Sequence, residues 1–287
     1  MTPDLETLVV AAYYFASLLP VPRRGRPPRV SDAELVALAV AQAAMGICSD
    51  RQFLGLVGHR LPGFFPCLPS QSQYNRRLRG LTPLLVWVQQ RLSELLATGN
   101  LRLADGTLVG VANYAGCQAR SEFAGLAGYG FCPSKSRYYW GVRLVLLVDR
   151  KGLPVGYTIV AANQKEYEPV RELILADGSS VLVADKGLWG RQYAETLRLE
   201  GILIRTPERA RSAANTERER RLASTRLVIE STIANLKCQM RLEQHLAKTP
   251  AGLFQRIAQR LLALTLGMLL NALLGRPPRS LVAYDGR

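Results

Sequence analysis

A short apolar run that stops at an acid and a glycine constrains this chain more than any other stretch. Residues 181–187 read Val-Leu-Val-Ala-Asp-Lys-Gly, and this Val-rich run predicts a buried strand that carries Asp185 at its carboxyl end. In open α/β sheets ligands bind outside the carboxyl ends of the strands, so Asp185 is well placed for chemistry. The structural alternative is that Asp185 caps the helix predicted to begin near Arg191. If other acids lie at the same edge of the sheet, a role for Asp185 in catalysis is favoured over a role as a helix cap.

The pattern on either side of that strand predicts an α/β domain with a mixed sheet and helices on its faces. The predicted strands are Leu101–Asp105, Tyr138–Val148, Leu153–Ala161 and Ile202–Ile204, together with the strand that ends at Asp185. Helices are predicted over 169–175 and 191–200. The Gly-rich residues 106–130 predict a long loop or a ragged hairpin, and Asp149 to Gly152 a hairpin turn.

Residues 1–98 are predicted to be helical. Capping boxes begin at Ser31 and Ser70, and the basic, Pro-rich segment 22–29 is either a solvated linker or a strip that follows a phosphate backbone. The helix opened by Ser70 carries polar and basic residues of the kind that read bases and hold phosphates. A DNA-recognition helix and an ordinary basic surface both explain this pattern. The candidate DNA-binding residues are Asn75, Arg76, Arg77 and Arg79.

The charge balance predicts a polyanionic partner. Lys and Arg number 37 against 22 Asp and Glu, which gives a formal net charge of +15, and the sequence pI is about 10.1. Nucleic acid is the first candidate. A membrane is disfavoured, because the longest apolar run, 261–274, is shorter than the roughly 20 residues that span a bilayer. The acidic start of the chain is not typical of a signal peptide, so a cytoplasmic location is expected.

Cysteine and histidine chemistry has little support in this sequence. The five cysteines are scattered and form no C-x-x-C pair, which argues against a disulfide framework and a zinc knuckle. His59 and His245 are the two histidines and lie far apart in the sequence, so neither histidine-bound zinc nor a Ser-His-Asp triad is indicated. A metal in this protein would have to be held by carboxylates.

A late helix supplies a further acid. The segment from about Thr225 to Met240 is predicted to be helical, and on an α-helix Arg226, Glu230 and Lys237 would share one face. An exposed Arg226–Glu230 ion pair, worth a few tenths of a kcal/mol, is the structural alternative. With Asp105 and Asp185, Glu230 completes a set of three acids at the ends of two strands and on a helix. Phosphodiester transfer uses such a set to hold two hard cations.

With these residues in place, the sequence resembles the DDE transposases of the IS982 insertion-sequence family. The resemblance covers nearly the whole chain, and its most specific segments are 123–132, 161–166, 184–187 and 229–233. It implies an RNase H-like catalytic domain, similar to that of retroviral integrases, behind an all-helical DNA-binding region. The implied divisions are 1–98 for the helical DNA-binding region, 99–250 for the catalytic domain, and 251–287 for a C-terminal helix that packs on the catalytic domain.

The resemblance also implies roles for individual residues. Asp105, Asp185 and Glu230 match the three metal-binding acids of the family, which would hold two Mg²⁺ ions, for which Mn²⁺ can substitute. Arg226, Lys237 and Lys186 match basic positions that meet DNA phosphates. The implied partners are double-stranded DNA, both element ends and target, and a second copy of the chain in a homodimer on DNA. The expected location is the cytoplasm, in association with the nucleoid.

Several positions depart from the family pattern. The departures lie at Gly106, Leu108, Ala112, Gly116, Val145, Lys165 and Leu188. All three acids are present, so metal-dependent transposition is the expected function. The alternatives are a decayed or domesticated copy that only binds DNA, and a nuclease without strand transfer.

Overall fold

The computed structural model describes residues 4–19, 25, 27–112, 118, 121–132, 136–184, 190–206 and 213–286, with the backbone alone at 191, 213–221 and 223. The chain divides into a helical unit, Met1–Leu95 with Ala234–Arg287, and a sheet unit, Leu96–Ile233. The helices are α1 Leu5–Ser17, α2 Asp32–Ala44, α3 Asp50–Arg60, α4 Gln71–Gly80, α5 Thr82–Leu96, α6 Tyr167–Asp177, α7 Arg191–Leu199, α8 Ala213–Ala234 and α9 Pro250–Leu273. The strands are β1 Leu101–Ala112, β2 Gly128–Cys132, β3 Arg137–Val148, β4 Pro154–Ala161, β5 Val181–Val183 and β6 Leu203–Arg205.

Side-chain caps fix where several helices of the helical unit begin. Ser31 accepts from the Glu34 amide while the Glu34 carboxylate accepts from the Ser31 amide, and Ser70 and Gln73 repeat this arrangement at α4. Both predicted capping boxes are therefore present. Thr249 caps α9, whose first residue is Pro250, a residue that costs no backbone hydrogen bond at that position.

The last long helix, α9, forms the core of the helical unit. It packs on α1, α2 and α4, and most of its residues from Leu253 to Asn271 are buried. By length and composition this 24-residue helix could cross a membrane, but 89% of its apolar window is buried inside the protein, as in an ordinary core helix. The sequence assigned residues 251–287 to the surface of the catalytic domain; the structure instead groups them with the N-terminal helices, because α9 buries apolar residues against α1 and α2.

The sheet of the sheet unit is mixed. Its strand order is β2-β3-β1-β5-β6, and β4 also pairs with β3. The pairs β1–β3, β2–β3 and β3–β4 are antiparallel, whereas β1–β5 and β5–β6 are parallel. Strands β2 and β4 pair with successive parts of β3, residues 137–141 and 142–148. One face of the sheet packs on α6 and α7 through Ala104, Val145, Leu182, Ile174 and Leu197.

Strand β1 is longer than predicted. The sequence placed a loop or ragged hairpin after Asp105, yet β1 runs to Ala112 and β2 begins at Gly128. The glycines of this region serve close approach rather than turns: a Cβ at Gly106 would meet the Glu166 carboxylate, and one at Gly110 would lie 3.0 Å from the Tyr139 ring. The spacing of glycines in a sequence does not distinguish glycines that form turns from glycines that allow close packing.

A buried aspartate builds the predicted turn between β3 and β4. Asp149 is fully buried, and its Oδ1 accepts from the Lys151 and Leu153 amides at 2.9 Å each. The neighbouring Gly152 carbonyl accepts from the Thr232 hydroxyl at 2.9 Å, which ties helix α8 to this turn. Helix α8 begins at Ala213, earlier than the predicted Thr225, so part of the Arg-rich segment is helical.

Candidate active site

Asp105 lies within β1 rather than at its end. It pairs with Leu146 of β3, is partly exposed, and its Oδ1 accepts from the Gly106 amide at 2.8 Å. Side chains alternate across a strand, so Asp105 faces away from its buried neighbour Ala104, which packs in the core with α6 and α7. The carboxylate of Asp105 therefore lies on the sheet face opposite those two helices.

An ion pair supports β1 directly behind Asp105. Arg143 of β3 pairs with Glu166, and its Nη2 also donates to the Ala162 carbonyl at 3.2 Å. Both side chains are mostly buried, with exposed fractions of 22% and 17%. A Cβ at Gly106 would lie 2.5 Å from Glu166 Oε1 and 3.1 Å from Arg143 Cδ. The pair therefore packs on the bare Cα of Gly106, whose amide holds the Asp105 carboxylate.

Glu230 lies on the outer side of α8. Ile229 and Ile233 are buried, while 48% of the Glu230 side chain is exposed. Arg226, one turn earlier, approaches Glu230 at 3.6 Å, so the ion pair that the sequence offered as a structural alternative is present. An exposed pair of this kind contributes little to stability and leaves the carboxylate accessible to a cation.

The strand before Asp185 runs alongside β1. Val181, Leu182 and Val183 of β5 pair in parallel with Leu101, Arg102 and Leu103. Asp185 and Lys186 themselves lie outside the described residues, as do the family departures at Gly116 and Leu188. The N-cap residue of α7 is Gly190, so Asp185 does not occupy the capping position that the sequence left open to it.

The donor chemistry of the two described acids suits a hard divalent cation. Asp105 and Glu230 offer carboxylate oxygens, the ligands that Mg²⁺ and Mn²⁺ prefer. Within the described ranges, which omit 185–189, no three His, Cys, Asp or Glu side chains form a group that could hold a metal ion. Two of the three predicted ligands are thus placed, both in the sheet unit.

Comparison with known proteins identifies the family of this chain. The family model for the transposase DDE domain matches residues 97–266, more than half of the chain and the whole sheet. The chain belongs to the DDE transposase family. No curated protein matches its sequence at a significant level. In structure it is similar to the piggyBac transposase seen by cryo-EM in a synaptic complex with hairpin DNA, over 98% of this chain and 76% of that one, with 11% identity and a TM-score of 0.47.

Most of the departures of this transposase from the pattern expected of its relatives leave the Asp105 face untouched. Gly106 and Leu108 alternate with Asp105 and so lie on the opposite face of β1. Val145 pairs with Gly106 and is fully buried in the core against α6 and α7. Lys165 is exposed beyond β4. The oxygen donors of Asp105 are thus unaffected by these substitutions.

Lys237 of the transposase lies outside the α-helix that carries Arg226 and Glu230. The α-helical register ends at Ala234, and Asn235–Gln239 form a π-helical turn. A π-turn bonds i to i+5, so the α-helical spacing that predicted a shared face does not apply to Lys237. Lys237 instead forms an ion pair with Glu243 at 3.2 Å within the helical unit.

The candidate DNA-binding residues of α4 fall into two groups. Arg76 and Arg79 are exposed. Arg77 is partly buried; it bonds Asp32 at 2.9 Å and donates to the Val30 carbonyl at 2.7 Å. Asn75 donates to Asp50 Oδ2 at 2.8 Å. Asn75 is also exposed, whereas Arg77 is held by its contacts within the helical unit. DNA binding by these four residues stays a prediction.

A buried polar network in the helical unit was not predicted. Asp50 pairs with Arg256 at 2.5 Å and accepts from Gln42 at 2.9 Å, and the Tyr74 hydroxyl donates to Gln42 at 2.9 Å. Burial, and to a lesser degree the charge of Asp50, raises the pKa of Tyr74. In the sequence, the polar residues Gln42 and Arg256 stand within otherwise apolar helix faces, and this pattern could have predicted the buried network.

Proposed function

We propose that this chain is an IS982-type DNA transposase that cuts the ends of its own mobile element and joins them to target DNA. The observation that carries the proposal is the position of Asp105 on the middle strand of the mixed sheet, beside the parallel strand that leads to Asp185. Asp105 follows Leu103 by two residues, and Asp185 follows its partner Val183 by two residues. Equal spacing along paired parallel strands favours side-by-side carboxylates.

The strand order supports an RNase H-like catalytic domain. Three antiparallel strands, β4, β3 and β1, are followed across the sheet by the two parallel strands β5 and β6. In this arrangement the first strand of the chain's sheet is central and carries the first acid, and the next parallel strand leads to the second. Glu230 comes from a helix tied to the β3–β4 turn through Thr232.

In this proposal Asp105 and Asp185 would hold two Mg²⁺ ions, or Mn²⁺, and Glu230 would complete the ligand set of one. Such ions, when bound, activate water and stabilise the charge that develops on the attacking and leaving oxygens. The Gly106 amide orients the Asp105 carboxylate, and the ion pair of Arg143 with Glu166 fixes the backbone behind it. Arg226 orients Glu230.

The reaction has two steps at phosphorus. Water adds to the phosphodiester at the element end, and the bond to the 3′ oxygen breaks, which leaves a 3′-hydroxyl and a 5′-phosphate. That hydroxyl then loses its proton and attacks a target phosphodiester, which releases a target 3′-hydroxyl. The net charge of +15 and the exposed Arg76 and Arg79 would bind the double-stranded DNA of the ends and target. We further propose that two copies act together, one at each element end, in the cytoplasm at the nucleoid.

A cleavage and joining assay tests the proposal. The substrate is the DNA that flanks the coding region, with Mg²⁺ or Mn²⁺, and wild type is compared with Asp185→Asn. Metal-dependent cleavage with joined products, lost in the variant while DNA binding is retained, is the expected result. Full activity of Asp185→Asn would show that Asp185 is not a catalytic metal ligand. DNA binding by wild type without any cut would identify a decayed copy, and cleavage without joining a nuclease.

A further inference from the structure

The hairpin formed by β2 and β3 presents a set of aromatic rings on one face. Tyr129 pairs with Trp140, and Phe131 pairs with Tyr138, so strand alternation places all four rings on the same side. Trp140 is buried at 2% exposure, whereas Tyr129, Phe131 and Tyr138 are 38%, 47% and 69% exposed. The rings of Phe131 and Tyr138 lie 5.1 Å apart at an interplanar angle of 52°. We call Tyr129, Phe131 and Tyr138 the aromatic face.

The opposite side of the hairpin holds the aromatic face in place. A Cβ at Gly128 would overlap the Asn163 side chain, and one at Gly130 would lie 2.8 Å from Ala162. These glycines pack directly on the segment that follows β4, so the hairpin cannot turn its rings inward. Three large rings are therefore kept in solvent by contacts on the other side, which argues for a binding surface that is already formed before its partner arrives.

The aromatic face lies on the same side of the sheet as Asp105. Asp105 pairs with Leu146, and Tyr138 is eight residues before Leu146 on β3, an even number that keeps both side chains on one face. At about 3.3 Å per residue the separation is roughly 25 Å along the strand. The rings are therefore within reach of DNA that flanks a phosphate at Asp105.

The charge of the chain favours a nucleic-acid partner for these rings. The formal net charge is +15, and the candidate metal ligand Asp105 lies on the same sheet face. Exposed aromatic rings in a basic protein bind single-stranded nucleic acid, in which bases stack on the rings. Bases of a duplex already stack on one another, so only unpaired bases offer a free face.

We propose that the aromatic face binds unpaired bases of the DNA near the cleavage site. The proposal rests on the proposed transposase function and adds to it the class of DNA that this hairpin recognises. Phe131 and Tyr138 provide the stacking surface. Duplex DNA is bound elsewhere, through contacts that do not need these rings.

Fluorescence anisotropy with two DNA probes tests the proposal. The probes are a 20-nucleotide oligo-dT and a 20-base-pair duplex, and the protein is the full chain. The double variant Phe131→Ala/Tyr138→Ala should lose about tenfold or more in affinity for oligo-dT and stay within twofold for the duplex. Tyr138→Phe, which keeps the ring, should bind oligo-dT as wild type does. The matched control is Trp87→Ala, which removes a 39% exposed ring outside the aromatic face and should leave the affinity for oligo-dT unchanged.

A second readout reports stacking itself. In oligo-dT that contains 2-aminopurine, stacking on the rings should quench the fluorescence with wild type and leave it unquenched with the double alanine variant. Oligo-dT binding by that variant at the wild-type level would overturn the proposal, and so would an equal loss for duplex. Duplex binding by wild type without oligo-dT binding would overturn this proposal alone, whereas binding to neither probe would overturn the proposed function as well.

Discussion

Gly106 lies between Asp105, an acid of the candidate site, and the ion pair that packs behind it. Its amide donates to Asp105 at 2.8 Å, and its Cα faces the ion pair of Arg143 with Glu166. A Cβ there would lie 2.5 Å from Glu166 Oε1, so any other residue type requires the Glu166 side chain to move. The close packing explains why glycine stands where the IS982 resemblance led us to expect a different residue after the first acid.

Replacement of Gly106 by alanine should therefore be costly. We expect Gly106→Ala to lower the free energy of unfolding by about 1–3 kcal/mol, because the new methyl group displaces the buried ion pair. Strand cleavage should fall with it, since the Asp105 carboxylate moves with the Gly106 amide. Urea unfolding and the cleavage assay measure the two effects.

Two companion variants make this test specific. In a Glu166→Ala background the added methyl group has room, so the two substitutions should couple favourably in a double-mutant cycle. Gly58→Ala is the control, because a Cβ there meets nothing within 4 Å and alanine favours a helix. If the losses of stability from the two substitutions are additive, the Glu166 side chain does not obstruct the methyl group of Gly106→Ala.

The arginines of helix α4 differ in their surroundings according to their position on the helix. Arg76 and Arg79 are exposed, whereas Arg77 bonds Asp32 and the Val30 carbonyl. If α4 contacts DNA, Arg76→Gln and Arg79→Gln should each weaken binding and lower the salt slope of log K by about 1. Arg77→Gln should leave that slope unchanged and cost about 1–3 kcal/mol of stability.

DNA titrations at several salt concentrations, paired with urea unfolding of each variant, measure these effects. A fall in slope for Arg77→Gln equal to that for Arg76→Gln would contradict the assignment of Arg77 to internal packing. Unchanged slopes for all three variants would show that α4 is an ordinary basic surface, the alternative that the sequence left open.

Element by element, the sequence predicted what local chemistry determines. The capping boxes at Ser31 and Ser70 and the turn at Asp149 depend on side chains within a few residues, and they are where the sequence placed them. The support behind Asp105 depends on Glu166, which is 61 residues later in the sequence. No local pattern signals that contact. The end of the α-helix at Ala234 likewise has no simple signal, and it places Lys237 in a π-turn rather than in the predicted α-helix.

At the scale of the whole molecule, buried tyrosines make the fold sensitive to alkaline pH. Burial raises the pKa of Tyr157 to about 12, and burial followed by the charge of Glu168 raises the pKa of Tyr193. A folded pKa above the unfolded value of about 10 means that the stabilisation is complete below pH 10 and is lost as the pH rises through the folded pKa. Arg260 acts in the opposite direction, since burial lowers its pKa to about 10.

We therefore expect the free energy of unfolding of the sheet unit to fall between pH 10 and 12. The slope contributed by Tyr157 should reach about 1.4 kcal/mol per pH unit, and that of the more exposed Tyr193 should be smaller. Tyr157→Phe removes one of these groups and should reduce the slope by that amount. Urea unfolding at pH 9, 10, 11 and 12, followed by circular dichroism, provides the measurement; an unchanged slope in Tyr157→Phe would show that its phenol ionises freely in the folded protein.

We propose that Asp105, Asp185 and Glu230 form one carboxylate site for divalent metal ions. The most direct test is Mn²⁺ binding, measured by electron paramagnetic resonance on the protein bound to element-end DNA. Wild type and the exposed-acid control Glu172→Gln should bind Mn²⁺ equally, whereas Asp105→Asn, Asp185→Asn and Glu230→Gln should each weaken binding at least tenfold without loss of fold. Wild-type Mn²⁺ affinity in any one of those three variants would contradict a shared site.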